Sequence, residues 1–364
     1  MHETKISLHK QESLREISDD DFLVLLLDGV SRTFAMTIPQ LPAKLRGTVA
    51  GAYLLCRIVD TIEDAVSLSL EQKKYFCSDF IHIVTTGKHA EPFTRELAPL
   101  LSEQTSATEQ ALMQALPRII QIAHKFAPYE IEALASCIET MAEGMSIFQA
   151  KDLHGGLSTL ADMDRYCYCV AGCVGEMLTN LFCHYSPEIA KQKDELLRLS
   201  VSFGKGLQMT NILKDISDDA KRGVCWLPQD IFDETGFDLK KLTPKTNDEN
   251  FRKGVEHVVS IAHNHLHNAL KYTQMLPSHE TGIRNFCLWA LGMAILTLKK
   301  IKHNLDVIHS QQIKITRNQV KATIITTGLA GRSNTVLTVL FNLIGRELKA
   351  PEWTYSTRSP KGNI

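Results

Sequence analysis

The chain has 364 residues, of which 44% are hydrophobic and 22% are charged, and its formal net charge is −1. This composition is typical of a folded globular protein and excludes a disordered chain. The balanced charge also excludes a global field that would recruit nucleic acid, so that any phosphate binding must be local.

The nine cysteines lie mostly within apolar helical segments, and the N-terminal stretch before them is polar throughout. Without a secretory signal, this usage indicates reduced core thiols in a cytosolic protein. Cys167, Cys169 and Cys173 lie close in sequence but lack the paired C-x-x-C spacing of a metal site. No uninterrupted apolar run reaches the roughly 18 residues of a membrane span. We therefore expect a cytoplasmic protein, either soluble or peripheral at the membrane.

Helical periods run nearly end to end and strand signals are sparse, which predicts an all-α protein. A polar lead-in over residues 1–20 precedes one domain over residues 21–346, and a polar tail over residues 347–364 follows it. Residues 87–107 are mixed in composition and are predicted to be irregular. The early helices are predicted to begin near residue 20 and to cover residues 43–65, 70–86, 107–126 and 128–150.

A first acidic strip lies in the predicted helix over residues 43–65. Asp60 and Asp64 stand four residues apart, with Glu63 beside them. That spacing stacks side chains along one helical face. Arg57 lies one turn before Asp60, and Tyr53 lies one turn before Arg57, so one face carries an aromatic ring, a cation and two carboxylates.

Two further segments could contribute to a site. Ser31 and Arg32 fall at a helix junction, where such a pair can hold a phosphate but is more often a cap and a surface charge. A glycine-containing loop leads into a helix that is predicted to begin at Tyr166. The small residues Gly172 and Gly175 in that helix would let another helix or a ligand come close.

A second acidic strip lies within residues 201–228. Asn211, Asp215 and Asp219 recur every four residues, with Gln208 one turn earlier. Hard oxygen ligands suit Mg²⁺, which also binds phosphate oxygens, so two such strips around Mg²⁺ ions would hold a diphosphate. The alternative is two solvated helix faces, which is the usual reading of a lone acidic run. The apolar context of both strips favours the metal site, because carboxylates are rarely buried without a partner.

The motifs DTIED and NILKDISDD, with SRTF before the first and YCYCVAGCVG between them, resemble the squalene and phytoene synthase family. Members of that family join two prenyl diphosphates head to head. The resemblance covers residues 29–320 and implies a single-domain, all-α isoprenoid synthase fold with a central cavity. The turn DDAKRGVCWLPQD is similar to phytoene-forming members, whereas GEMLTNLF, NFCLWALGMAI and QQIKITRNQV favour squalene-forming members. Ala290 and Leu291 depart from the Pro and Gln of the squalene-forming members.

The resemblance implies that two farnesyl diphosphates react through presqualene diphosphate, with Mg²⁺ and NADPH, in sterol or hopanoid biosynthesis. It assigns Mg²⁺ to Asp60, Asp64, Asp215 and Asp219, with Asn211 and Glu63 in support. It assigns diphosphate binding to Ser31, Arg32, Arg57, Gln208, Lys214 and Arg222. It makes Tyr166 the candidate base, places Phe286 and Tyr53 against the carbocation, and sets Lys314 and Arg317 against the NADPH phosphates.

Other functions stay open at this point. A non-reducing member would release a phytoene-like, dehydrosqualene-like or hydroxylated product, and IKITRNQV would then have no cofactor role. A catalytically inactive relative that acts as a scaffold would be expected to lose metal ligands, yet every aspartate of both strips is present. The apolar segment TVLTVLFNLI is a candidate for peripheral contact with a membrane.

Overall fold

The computed structural model describes residues 17–101, 105–305 and 313–348. Throughout these residues the regular elements are helices, and extended pairing is limited to one isolated bridge between Leu157 and Pro228. The all-α prediction is therefore confirmed. The chain divides into two compact units, Met1–Ala142 and Glu143–Ile364. The predicted limits of the lead-in, domain and tail stay predictions, and residues 1–16 and 349–364 lie outside the described residues.

The first unit is built from helices that mostly follow the predicted segments. Residues 87–107 were expected to be irregular, and that prediction is wrong for Ala90–Leu97, where Phe93 and Leu97 bury their side chains one turn apart. A helix this short gives too few periods to read from sequence. The helices are α1 (Asp19–Val30), α2 (Arg32–Thr37), α3 (Ala43–Asp64), α4 (Leu70–Thr86), α5 (Ala90–Leu97), α6 (Ala107–Ala123) and α7 (Pro128–Gln149), whose last turns belong to the second unit.

Helix α3 carries the first acidic strip. Pro42 precedes its first turn, where a missing backbone donor is tolerated. Leu54, Ile58 and Ile62 are fully buried along one side of the helix, which packs against α1 and α6. Burial of this side leaves the acidic face of its last turns directed away from the core.

The second unit begins with the end of α7. Thr159 caps α8 by accepting a hydrogen bond from the Asp162 amide, so that helix starts before Tyr166. The prediction that Tyr166 begins a helix is therefore wrong, because the polar capping residue Thr159 lies seven residues earlier in the chain. The helices are α8 (Leu160–Cys167), α9 (Cys173–Tyr185), α10 (Pro187–Ala190), α11 (Lys193–Lys221), α12 (Gln229–Thr235), α13 (Glu249–Met275), α14 (Thr281–His303), α15 (Arg317–Ala330) and α16 (Asn334–Ile344), with a π-helical turn over Tyr168–Gly172.

Helix α11 is the centre of this unit and packs against α9, α13, α14 and the π-helical turn. A Cβ atom added at Gly204 would lie 2.1 Å from the Ala171 carbonyl oxygen, and one added at Gly175 would lie 2.3 Å from the Ser200 carbonyl oxygen. The small-residue face predicted from sequence is thus confirmed, because backbone meets backbone at this crossing.

One helix among the described residues is long and apolar enough to cross a membrane, although no uninterrupted apolar run predicted it. This helix is α14, and 67% of its most apolar 18-residue window is buried inside the protein. Burial of that extent is also found in the core helices of globular proteins.

We expect Gly204→Ala to lower the free energy of unfolding by about 3 kcal/mol, because its methyl group would collide with backbone that cannot rotate away. Gly328→Ala is the matched control, since that helical position has nothing within 4 Å of an added Cβ. There the substitution should raise the stability by about 0.5–1 kcal/mol. Urea unfolding of both variants checks the pair, and a Gly204→Ala protein as stable as the parent would contradict the close approach.

Candidate active site

The first acidic strip stands on the last turns of α3. Asp60 is partly buried and Asp64 is exposed. Burial raises the pKa of Asp60 to about 6 against the opposing charge of Arg57, and repulsion from Asp64 adds to the rise. A carboxylate pair in this state gains stability from any cation placed between its members.

Arg57 joins the strip to a residue that the sequence did not indicate. Its guanidinium lies 3.4 Å from Asp60 Oδ2 and also contacts Glu109 on α6. Glu109 is held in turn by Ser106, whose amide and hydroxyl donate to Oε2 at 3.0 and 2.8 Å. Burial opposes the charge on Arg57, but the carboxylates of Asp60 and Glu109 outweigh it and raise the Arg57 pKa. Arg57 is therefore a fixed, permanently charged cation.

Ser31 and Tyr53 also lie together in the first unit. The Ser31 hydroxyl caps α2 by accepting from the Phe34 amide at 3.1 Å, and it is hydrogen-bonded to Tyr53. The Tyr53 ring lies 4.7 Å from that of Phe34. Burial raises the pKa of Tyr53, so its hydroxyl stays protonated. Arg32, the first residue of α2, is exposed.

Glu63 occupies a different environment from the two aspartates beside it. It is 1% exposed and accepts a hydrogen bond from the Cys77 thiol at 3.1 Å, on the neighbouring helix α4. Burial raises its pKa. The partly exposed acidic strip thus consists of Asp60 and Asp64, and Glu63 packs behind it.

The second strip lies on α11 as the spacing predicted. Lys214 Nζ lies 3.3 Å from Asn211 Oδ1 and 3.1 Å from Asp215 Oδ2, and Arg222 pairs with Asp219. Both predicted cations of this segment, Lys214 and Arg222, therefore contact aspartates of the strip. Beside the strip, the apolar side chains of Met209, Ile212, Leu213 and Ile216 are buried.

Tyr166 sits in an aromatic cluster that sequence reasoning missed. Its ring is stacked on Trp226 with centroids 4.0 Å apart and an interplanar angle of 11°, and Phe148 approaches edge-on at 5.4 Å. Trp226 follows the second strip in the chain. It is held there because the Cys225 amide donates to the Leu153 carbonyl at 2.9 Å. The chain that follows the second strip therefore folds back, so that Trp226 packs against Tyr166.

The remaining predicted residues lie on α14 and at the start of α15. Phe286 is buried in α14, edge-on to Phe182 at 6.3 Å. Lys314 and Arg317 are exposed, and Arg317 is the first residue of α15. Thr316 and Gln319 form a capping box at the same helix end.

The side-chain oxygens of the two strips are ligands of the kind that Mg²⁺ binds. Between residues 17 and 348, wherever the structure describes the chain, no three His, Cys, Asp or Glu side chains are grouped closely enough to hold a metal ion alone. Mg²⁺ commonly takes only one or two carboxylates and completes its shell with water and phosphate oxygens. Paired aspartates with a raised pKa at Asp60 fit such an ion. The residues present therefore suit Mg²⁺ that is bound together with a phosphorylated ligand.

Sequence comparison finds curated relatives along most of the chain. It is 30% identical over 290 residues to squalene synthase ERG9 of Saccharomyces cerevisiae, an alignment that covers 78% of this chain and 62% of the yeast protein. It is 31% identical over 291 residues to squalene synthase of Solanum lycopersicum, covering 79% of this chain and 65% of the tomato protein. The aligned part thus amounts to less than two thirds of the length of these relatives.

Solved structures share the fold. TcSQS in complex with the ligand BPH1237 superposes with a TM-score of 0.73 at 24% identity, covering 91% of this chain and 98% of that one. A dehydrosqualene synthase in complex with a ligand gives a TM-score of 0.56 at 17% identity, covering 90% of this chain and 98% of that one. At these identities the likeness shows the all-α isoprenoid synthase fold.

Residues 27–319 match the family model described as squalene/phytoene synthase, a span that includes both acidic strips, Tyr166 and Trp226. This match runs across the boundary between the two compact units. The chain belongs to the squalene/phytoene synthase family.

Proposed function

We propose that the chain is a squalene synthase, a farnesyl-diphosphate farnesyltransferase. It would condense two farnesyl diphosphates head to head through presqualene diphosphate and reduce the product to squalene with NADPH. The observation that carries the proposal is the presence of both aspartate pairs, Asp60 with Asp64 and Asp215 with Asp219, in a member of this family. The curated relatives named above, which are squalene synthases, support the reducing branch.

The aspartates of both strips, with Asn211, would hold Mg²⁺. The metal supplies Lewis-acid stabilisation of the departing diphosphate when it is bound. Arg57, Lys214 and Arg222 already lie against these aspartates, so the same cations are available to a diphosphate. Ser31, Arg32 and Gln208 would complete the contacts to the substrate.

Tyr166, ionised to its phenolate, would take the proton that leaves carbon as the cyclopropane ring closes and would become the neutral phenol. Its stack on Trp226 and its contact with Phe148 fix the ring and keep water away from it. The faces of Phe286 and Tyr53 would stabilise the carbocations that form when each diphosphate departs. Such cations survive only where water is excluded.

Reduction would require NADPH, which supplies a hydride. Lys314 and Arg317 are proposed to hold its phosphates, because both are exposed at the N-terminal end of α15, where backbone amides also favour anions. The alternative is a non-reducing member of the family. A dehydrosqualene synthase shares the fold of this chain, so the fold is also compatible with a non-reducing reaction.

Purified protein incubated with farnesyl diphosphate and Mg²⁺ is expected to form squalene only when NADPH is added, and to accumulate presqualene diphosphate without it. Mass analysis of the extracted lipid distinguishes the products. A dehydrogenated or hydroxylated C30 product that is unaffected by NADPH would assign the chain to the non-reducing branch. Unconsumed farnesyl diphosphate would contradict the proposed substrate.

The second strip has a matched control on its own helix. Asp215→Asn is expected to lower kcat about 100-fold or more, because it removes a ligand of the metal that stabilises the departing diphosphate. Asp218→Asn should stay within about threefold of the parent, since Asp218 lies off the strip and forms a surface ion pair with Lys221. Diphosphate release against Mg²⁺ concentration gives both values. Equal loss in the two variants would contradict the strip as the metal site.

We further propose that the protein works in the cytoplasm in peripheral contact with a membrane, which would accept its apolar product. Exposed apolar side chains gather on α15 and α16. Leu329 is 85% exposed and Leu343 is 68% exposed. The others are Ile325, Val336 and Val339, and the three residues on α16 follow a spacing of three and four that places them on one face. This surface is named the apolar patch.

Replacing Leu329 and Leu343 together by Glu should weaken binding to phosphatidylcholine–phosphatidylglycerol vesicles at least about tenfold, because two charges would enter the lipid boundary. Leu25→Glu is the control, since Leu25 is an exposed leucine outside the patch. Co-sedimentation with vesicles measures both. Parent protein that stays in the supernatant would contradict the membrane contact.

A further inference from the structure

Lys205 is a buried cation that the proposed chemistry does not use. It lies on α11, one turn before Gln208, and is 5% exposed. A buried ammonium group is costly unless a partner compensates its charge. Its Nζ donates to Asp164 on α8, two residues before Tyr166. The pair therefore joins the helix of the second acidic strip to the helix of the proposed base.

A third helix closes the polar cluster around this pair. His265 on α13 has Nε2 at 3.7 Å from Asp164 Oδ1 and Nδ1 at 2.8 Å from the Ser202 hydroxyl. Asn268 donates to the same hydroxyl at 3.0 Å, so Ser202 links His265 to a second side chain of α13. Burial lowers the pKa of His265 to about 4, so the ring is neutral near pH 7. The positive charge facing Asp164 is that of Lys205.

The contact between Lys205 and Asp164 affects how α8 is rotated about its own axis. Residues two positions apart on a helix point to nearly opposite sides, so Asp164 faces α11 while Tyr166 faces Trp226. The first turn of α8 is held separately, because the Asp230 carboxylate accepts from the Leu160 amide at 3.0 Å. After Cys167 the regular helix gives way to the π-helical turn. The contact of Asp164 therefore sets the rotation of α8 next to Tyr166.

We propose that Lys205 is a positioning residue, which holds Asp164 so that Tyr166 keeps a fixed place relative to the aspartate strip on α11. The inference rests on the proposed function, in which Tyr166 takes the proton and the strip holds the metal. It concerns a residue with no place in the chemistry itself.

A double-mutant cycle tests the proposal. Lys205→Met and Asp164→Asn each leave the other member of the pair without its ionic partner and should destabilise the protein, whereas the double variant carries neither charge and should recover stability. Thermal unfolding, with kcat and KM for diphosphate release from farnesyl diphosphate, is measured for all four proteins. In the recovered double variant, kcat should stay about 10- to 100-fold below the parent while KM changes less than about threefold.

Trp226 emission gives a readout that needs no substrate. Because Trp226 is stacked on Tyr166 at 4.0 Å, a rotation of α8 changes its surroundings. The difference spectrum between each protein and its Trp226→Phe counterpart isolates this residue from the other two tryptophans. The double variant should show shifted Trp226 emission. The control is Arg198→Met, which breaks an exposed ion pair with Glu195 on the same helix and should leave both readouts unchanged.

Parental kcat or parental Trp226 emission in the double variant would overturn the positioning role. If the double variant does not fold, Asp164→Asn alone, which keeps the shape of the side chain, is judged by the same two outcomes. A parent protein that releases no diphosphate would refute the proposed function, while shifted emission in the double variant would still support the tie between α8 and α11.

Discussion

The second unit depends on a crossing at which two stretches of backbone touch without side chains between them. Gly204 lies against Ala171, and Gly175 lies against Ser200. This approach draws the chain from α8 through the π-helical turn to α9 along the side of α11. Tyr166 and the acidic strip therefore lie on neighbouring helices, and the glycines set how closely the chain approaches α11. The polar contact between Lys205 and Asp164 then fixes the rotation of α8 about its own axis.

Cations contact carboxylates of both strips before any ligand binds. Arg57 contacts Asp60, Lys214 contacts Asp215 and Arg222 pairs with Asp219. These cations lower the cost of placing carboxylates against apolar helices. The diphosphate substrate proposed above would arrive with Mg²⁺ and so bring both signs of charge at once. In that proposal Lys214 and Arg222 would contact the phosphate oxygens while the aspartates bound the metal, so that little net charge would be left uncompensated.

Periodicity in the sequence was enough to place most helices, including α4 at residues 70–86 and the strip on α11, because both patterns are local. The sequence could not reveal the partners that complete the site. Glu109 is 52 residues from Arg57, and Asp164 is 41 residues from Lys205, so no spacing rule connects them. The stack of Trp226 on Tyr166 likewise depends on a loop pairing with residue 153. In the sequence Glu63 could not be distinguished from Asp60 and Asp64 as a metal ligand, but its position on the helix places its side chain against Cys77.

The π-helical turn between α8 and α9 carries a last consequence. The Cys173 amide bonds to the Tyr168 carbonyl, five residues back, so this turn holds one residue more than a regular α-helical turn. Five residues wound as a π-helix rotate the chain by about as much as four residues wound as an α-helix, so the extra residue is accommodated with little change in the rotation of α8 relative to α9. A one-residue deletion there would therefore return the segment to an ordinary α-helix while Asp164 and Tyr166 kept the sides of α8 that they now occupy.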